Sequence, residues 1–449
     1  MVETEGAVPT DPLPGQTPTP RPPSAYRSVL RLPAFRRLWL GLSISSLGDW
    51  IGLFALLSMT DRLSGGNTLA VGGLMIFRVL PAFIVGPLAG VALDRIDRRK
   101  AMVVSDVLRA CLIAIVPFAQ TLPALYAVSF LLETISLVWM PAKDSLIPNI
   151  VPGRWLVAAN SLSLFSTYGV FPLGALTFTG LVTVAGFLGT HVAFLEALSL
   201  NQENLALWLD ACTFLLAAFI VSRIRFPALP RQRREIRLRV LWDEVVEGLR
   251  YFRAKGEIAR IMRGFAVALS GGAVIFSLGA PYNSQVLGAG PSGFGFIVAA
   301  LGTGMGLGVL VLGFVGDRLP KAWTSSAAVI AGGLILVAAA LANTLPLAIV
   351  VAGLLGASGG VAYATAFALL QERVDDNVRG RTFASVQIVI RTSLFVSLVA
   401  FPALAGLFAT EAFLGSQADG IRLAFAAGGL VTCAAGLLGA LDVYRGRVT

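Results

Sequence analysis

The sequence predicts an all-α membrane protein whose twelve transmembrane helices form two pseudo-symmetric bundles of six. Three observations predict it. Hydrophobic residues make up 56% of the chain and charged residues 13%, with a mean hydropathy of +0.79, an excess that a water-soluble domain does not carry. Apolar runs long enough to cross a hydrocarbon core of about 30 Å recur twelve times. Finally, the same 223 positions separate Gly90, Asp94, Arg95 and Arg98 from Gly313, Asp317, Arg318 and Lys321, so one charged turn is written twice; the counterpart of Gly86 is Val309, a departure.

Taken in order, residues 1–30 are rich in Pro, Thr and Gly, have no apolar core and are expected to be a disordered tail without a cleaved leader. Arg27, Arg31, Arg36 and Arg37 then precede the first span. Spans are expected at 38–60, 69–93, 101–119, 122–140, 156–181 and 205–224, which places the first bundle within 31–224. The fifth is interrupted by Gly169, Pro172 and Gly174. The second bundle, 259–443, holds runs at 261–278, 294–315, 325–341, 345–368, 383–408 and 423–441. Between the bundles, 225–258 is basic, with Arg231, Arg233, Arg234, Arg237 and Arg239. It turns amphipathic through Leu241, Val245, Val246, Leu249 and Phe252, the pattern of a helix lying on the cytoplasmic leaflet. Residues 444–449 form a short second tail.

The formal charge of +10 would suggest nucleic acid in a soluble chain. Here the basic residues sit in short segments between apolar runs, where they set orientation. With both termini cytoplasmic, about thirty of the 35 fall on that side and only Arg62 and Arg422 outside. A multi-pass plasma-membrane protein follows, and no nucleic-acid partner is expected. Cys111, Cys212 and Cys433 each fall inside an apolar run and read as small core residues. The single His191 is placed in an extracytoplasmic loop, so no metal cluster or catalytic His pair is expected, and no Walker sequence is present. Enzyme chemistry, a cofactor and direct use of ATP are therefore not expected.

In the stretch Gly86-Pro87-Leu88-Ala89-Gly90-Val91-Ala92-Leu93-Asp94-Arg95-Ile96-Asp97-Arg98-Arg99-Lys100, small residues four apart end in a charged turn. It resembles the loop motif that joins transmembrane helices 2 and 3 in the major facilitator superfamily. Further stretches narrow the resemblance: Ser46-Leu47-Gly48-Asp49-Trp50, Trp139-Met140-Pro141-Ala142-Lys143-Asp144-Ser145, Ala158-Ala159-Asn160-Ser161, and Arg379-Gly380-Arg381. Together they look like the branch of the drug:proton antiporters that holds macrolide-efflux proteins and the enterobactin exporter. The resemblance implies the major facilitator fold, with the halves related by an axis along the membrane normal, a small-molecule site between them, and function as a monomer. It also implies a gating role for Gly86, Gly90, Asp94, Arg95, Arg98 and Arg99. Asp94 would dock at the start of the eleventh span and stabilise the outward-open state. Drug antiporters carry an Arg in the fourth span; this chain has Glu133 there and no Arg.

Ionisable residues inside spans cost several kcal/mol unless they face a cavity or a partner. At 1.5 Å per residue, Asp49 lies about 17 Å deep and Arg78 about 22 Å, so an ion pair between them is feasible; Arg109, about 12 Å deep, comes to a depth similar to that of Glu133, so either carboxylate is a relay group or one half of a static pair. Since the first and fourth helices line the cavity in the family, Asp49 and Glu133 are the proton-coupling candidates. Asp106 and Arg109 are expected to brace the loop motif from a peripheral third helix, Asp210 to lie at the interface, and Arg391 to face either the cavity or the seam. Trp50, Tyr168, Phe171, Phe276 and Tyr363 are candidate cavity aromatics.

The expected function is secondary transport: efflux of a hydrophobic or amphiphilic small molecule, driven by the proton gradient, by rocking of the two bundles. Export of a siderophore, flipping of a lysophospholipid, and a transporter-like sensor or scaffold are the alternatives.

Overall fold

The structure, a computed structural model, describes residues 25–85, 97–191, 201–224, 256–315, 319–373, 379–410 and 415–446. Most of the expected tail, the basic linker over 225–255, and the motif residues Gly86, Gly90, Asp94, Arg95, Asp317 and Arg318 lie outside the described residues.

The first half runs through α1 (Ala25–Arg31), α2 (Pro33–Leu63), α3 (Thr68–Ile84), α4 (Arg98–Ile115), α5 (Leu122–Ile150), α6 (Leu156–Leu164), α7 (Phe171–His191) and α8 (Asn204–Ser222). The second comprises α9 (Gly256–Gly272), α10 (Val274–Pro281), α11 (Pro291–Val315), α12 (Lys321–Leu341), α13 (Leu345–Arg373), α14 (Arg379–Phe408) and α15 (Gln417–Tyr444). Consecutive α6 and α7 form one span, as do α9 and α10. Among the described residues eleven segments are long and apolar enough to cross a membrane, and α3 adds a shorter twelfth. The architecture is the expected one.

Local chemistry sets several ends. Pro33 occupies the first turn of α2, where its missing donor is harmless. The Asn67 side chain accepts from Leu69 N at 2.9 Å to cap α3, and Asp97 Oδ1 accepts from Lys100 N at 3.0 Å to cap α4. The last carboxylate of the charged turn is thus a helix cap.

Four expectations change. A helix, α1, forms within the last residues of the stretch expected to be a tail and buries Val29 against Phe35. The fourth helix continues past Met140 through Pro141 and Pro148 to Ile150. Burial of Ala142, Leu146 and Ile147 outweighs the backbone bonds that the prolines remove. His191 ends α7 instead of lying in a loop. Cys111 and Cys212 are exposed on the outer surface, and only Cys433 is buried; an apolar run does not say which of its faces meets lipid. The expected interruption of the fifth span is observed, as a π-helical turn at Phe165–Gly169 followed by a break at Val170.

The two ends of the molecule differ. At the basic end, Arg98 Nη1 donates to the Ser145 carbonyl at 3.2 Å, and Arg99 Nη1 to the Ile224 carbonyl at 3.1 Å, capping the exit of α8. Lys321, the repeat counterpart of Arg98, pairs with Glu372 at the end of α13. Both copies therefore tie the third helix of a half to its fourth.

Contacts between the halves concentrate at the opposite end. There Gln285 Nε2 donates to the Gly65 carbonyl at 3.4 Å and Thr68 Oγ1 to the Pro402 carbonyl at 3.3 Å. Gly72 lies so close to Pro402 that a Cβ would come within 2.6 Å of its ring. On the other seam Gly302 of α11 abuts Phe171 and Pro172 of α7. Towards the basic end the facing residues Leu164, Phe165, Tyr168 and Tyr363 are exposed. The described hydrogen bonds between the halves thus lie at the end away from the basic segments.

Candidate functional site

Five helices of the first half bring charge to one place. Asp49 on α2, Arg78 on α3, Arg109 on α4, Glu133 on α5 and Asp210 on α8 line a tight cleft together with Ser136 and Phe214, leaving room for about one water molecule. Arg109 is its hub. One guanidinium nitrogen lies 3.5 Å from Asp49 Oδ2, and another pairs with Asp106 one helical turn back. The same guanidinium stacks 4.3 Å from the Phe214 ring centre and 5.7 Å from that of Trp139. Trp139 Nε1 donates to the second Asp106 oxygen at 3.2 Å. Arg78 meets Glu133 at 3.8 Å.

The ion pairs are crossed relative to the pairs that depth in the sequence suggests. Asp49 pairs with Arg109 and not Arg78; Glu133 pairs with Arg78 and not Arg109. Depth along a helix is legible from sequence, whereas the rotation that chooses between two bases at similar depth is a packing outcome. Asp106 and Arg109 likewise do more than brace a peripheral loop. Both are buried, at 0% and 3% exposure, and Arg109 reaches the cleft through its length.

Asp210 is also relocated: it is 2% exposed and central, not interfacial. Its helix begins below the level at which α2 ends, since Glu203 and Asn204 are themselves buried and Ser58 of α2 donates to Glu203 Oε1 at 3.0 Å. Sequence reasoning missed this residue, although Gly48 and Gly52 were a signal. A Cβ at Gly48 would sit 2.6 Å from Asp210 Oδ1, and one at Gly52 would sit 2.9 Å from its Cγ. Only glycines there leave space for the carboxylate.

Exposure grades the cluster from the cleft inward. The Asp49 side chain is 41% exposed, Glu133 32% and Arg78 18%, with Arg109 at 4% behind them. From the second half Arg391 is exposed and interacts electrostatically with Glu133 across the seam.

Of the aromatic candidates, Trp50 and Phe171 pack edge to face at 4.6 Å, and Trp50 Nε1 donates to the Thr167 carbonyl at 2.8 Å, which holds the π-helical turn against α2. Phe276 packs partly buried against the first-half core. Tyr168 and Tyr363 remain exposed on opposite halves, and Tyr363 stacks on Phe367 at 5.0 Å.

A profile of the family described as "Transmembrane secretion effector" matches residues 24–435. The MFS-type transporter YfiS of Bacillus subtilis is 27% identical over 184 residues, 36% of this chain and 44% of that protein, so the chain matches less than half of YfiS. Macrolide efflux protein A of Streptococcus pyogenes is 24% identical over 386 residues, 81% of this chain and 87% of that protein. Among solved structures, a bacterial homologue of the human lysosomal transporter Spinster, inward-facing and unoccupied, superposes with a TM-score of 0.71 at 15% identity, covering 93% of this chain and 97% of that one.

Proposed function

The chain belongs to the transmembrane secretion effector family of the major facilitator superfamily, and from that membership we propose that it exports a hydrophobic or amphiphilic small molecule in exchange for protons. One observation carries the reading: two partly exposed carboxylates, Asp49 and Glu133, line one water-sized cavity within the first half, each paired with an arginine from another helix. A carboxylate ion-paired with an arginine of another helix loses that contact when the helices shift, and it then takes up or releases a proton.

The inside-positive distribution of Lys and Arg supports reading the basic end as cytoplasmic and this state as inward-facing. Rocking of the halves about α3–α14 and α7–α11 would open the end away from the basic segments. Asp94 then docks at the start of α14, while Arg98 and Arg99, already bonded within their own half, keep the turn in place. Exposed Tyr168 and Tyr363 offer apolar faces to the cargo, and Arg391 gives it one cation. That cation favours a second reading, cargo bearing a carboxylate or phosphate, as a siderophore or lysophospholipid does.

The test is reconstitution in proteoliposomes with an imposed proton gradient. Ethidium and radiolabelled erythromycin serve as probes, and the parent is compared with Asp49→Asn and Glu133→Gln. Gradient-driven movement in the parent, lost in either variant, is the expected result. Movement that ignores the gradient sinks the coupling; no movement of either probe turns the search to anionic amphiphiles, with Arg391→Ala as the discriminating variant.

A further inference from the structure

The buried charges do not balance, and the imbalance points to one residue. Four carboxylates, Asp49, Asp106, Glu133 and Asp210, stand among two guanidiniums of the same half, Arg78 and Arg109. Arg109 is spent on Asp49 and Asp106, and Arg78 on Glu133. Arg391, the nearest charge from the other half, faces Glu133. Among the described residues no base comes within ion-pair distance of Asp210, although Arg109 and Arg78 act on it electrostatically and the Thr213 side chain lies beside it, and its buried Oδ1 accepts no hydrogen bond. The hydroxyl of Thr213 donates to the Asp210 backbone carbonyl at 2.7 Å. An ionised carboxylate so placed would cost several kcal/mol, whereas a protonated one needs only an acceptor, and Asp49 lines the same cleft.

We propose that Asp210 is a further proton-binding site: it and Asp49 share one exchangeable proton beside Arg109, with Asp49 as the port to the cleft and Asp210 as the store behind it. The transfer is a single proton passing from the carboxylic acid of one aspartate to the carboxylate of the other, directly or through the one water the cleft admits. When the proton sits on Asp210, Asp49 is the carboxylate paired with Arg109, the arrangement seen here. When it moves to Asp49, Asp210 becomes the carboxylate and Arg109 must turn to meet it. Gly48 and Gly52 leave the Asp210 carboxyl the space for that exchange. This rests on the proton-coupled reading above and adds to it where the proton resides.

Infrared spectroscopy of the purified protein in nanodiscs at neutral pH tests it, because a protonated carboxyl has its own C=O stretch that shifts in D2O. The parent is expected to show such a band. Asp210→Asn loses one component of it, Asp49→Asn shifts that component, and Glu133→Gln leaves it unmoved. No protonated-carboxyl band in the parent, or a component that survives in Asp210→Asn, overturns the proposal. Should Asp210→Asn fail to fold, Gly52→Ala, whose methyl presses on the Asp210 carboxyl, must move the same component, and an unmoved band overturns it too. In proteoliposomes Asp210→Asn is expected to bring gradient-driven probe efflux down to the level left by a protonophore, while gradient-free exchange persists. If the parent moves no probe but the infrared component follows Asp210, the export reading has failed and the proton site stands.

Discussion

The two halves repeat one topology yet are held together by opposite means. In the first, glycines make room for a side chain: Gly48 and Gly52 of α2 receive Asp210 of α8, and the contact is a buried carboxyl in a charged cluster. In the second, glycines make room for backbone. A Cβ at Gly356 of α13 would lie 2.8 Å from the Leu301 carbonyl carbon of α11, and a Cβ at Gly333 of α12 or at Gly429 of α15 would lie 2.6 Å from the other's backbone carbonyl oxygen. Helices that close rely on dispersion and tight fit, with no polar group at stake. On the proton-coupled reading proposed above, the first half carries the groups that change charge, and the second is the body against which it moves.

Arg109→Leu should strike hardest, because it leaves the buried Asp106, and Asp49 at the cavity, without their ion-pair partner. About 3–5 kcal/mol of stability is expected to go, read as thermal unfolding in detergent. Adding Asp106→Leu should return part of the loss. If the single variant unfolds like the parent, the first half is not held by its charges.

A smaller effect is expected from Gly356→Val in the second half. Its methyls meet backbone that cannot rotate away, costing about 1–3 kcal/mol, while gradient-driven probe movement per folded molecule stays at the parent level. Loss of coupling in this variant would break the division of labour.

Trp50→Phe keeps the ring against Phe171 and removes only the hydrogen bond to the Thr167 carbonyl, so about 1 kcal/mol is expected by the same unfolding measurement. Gly306→Ala has open space around its Cβ position. It should stay within about 0.5 kcal/mol of the parent, which separates glycines that pack from glycines that merely occur.

How far the sequence reaches varies from residue to residue. Asp49 and Glu133 were legible as cleft carboxylates, since an acid in an apolar run is conspicuous and the family resemblance names the helices that line the cavity. Arg98 and Lys321 were legible as repeat partners from their constant offset, and the structure gives both the same task. Asp210 was not legible. Counting residues from the end of its run places it near the surface, and only the staggered start of α8, with Glu203 and Asn204 already buried, sinks it to the level of Gly48 and Gly52. Crossing of the ion pairs was hidden for a related reason, because Arg78 and Arg109 each lie within a turn or two of both carboxylates in depth.

The sequence by itself determined that the chain spans a membrane in two repeated sets of six helices, because hydropathy and run length are decided residue by residue against a slab of fixed thickness. It also determined which residues are too costly to leave in lipid. Tertiary structure alone decided which charges meet, which aspartate is left without an ion-pair partner, and which glycines face backbone. Each of these depends on the rotation and stagger of one helix against another, and a periodicity of 3.6 residues leaves both free until the side chains interlock.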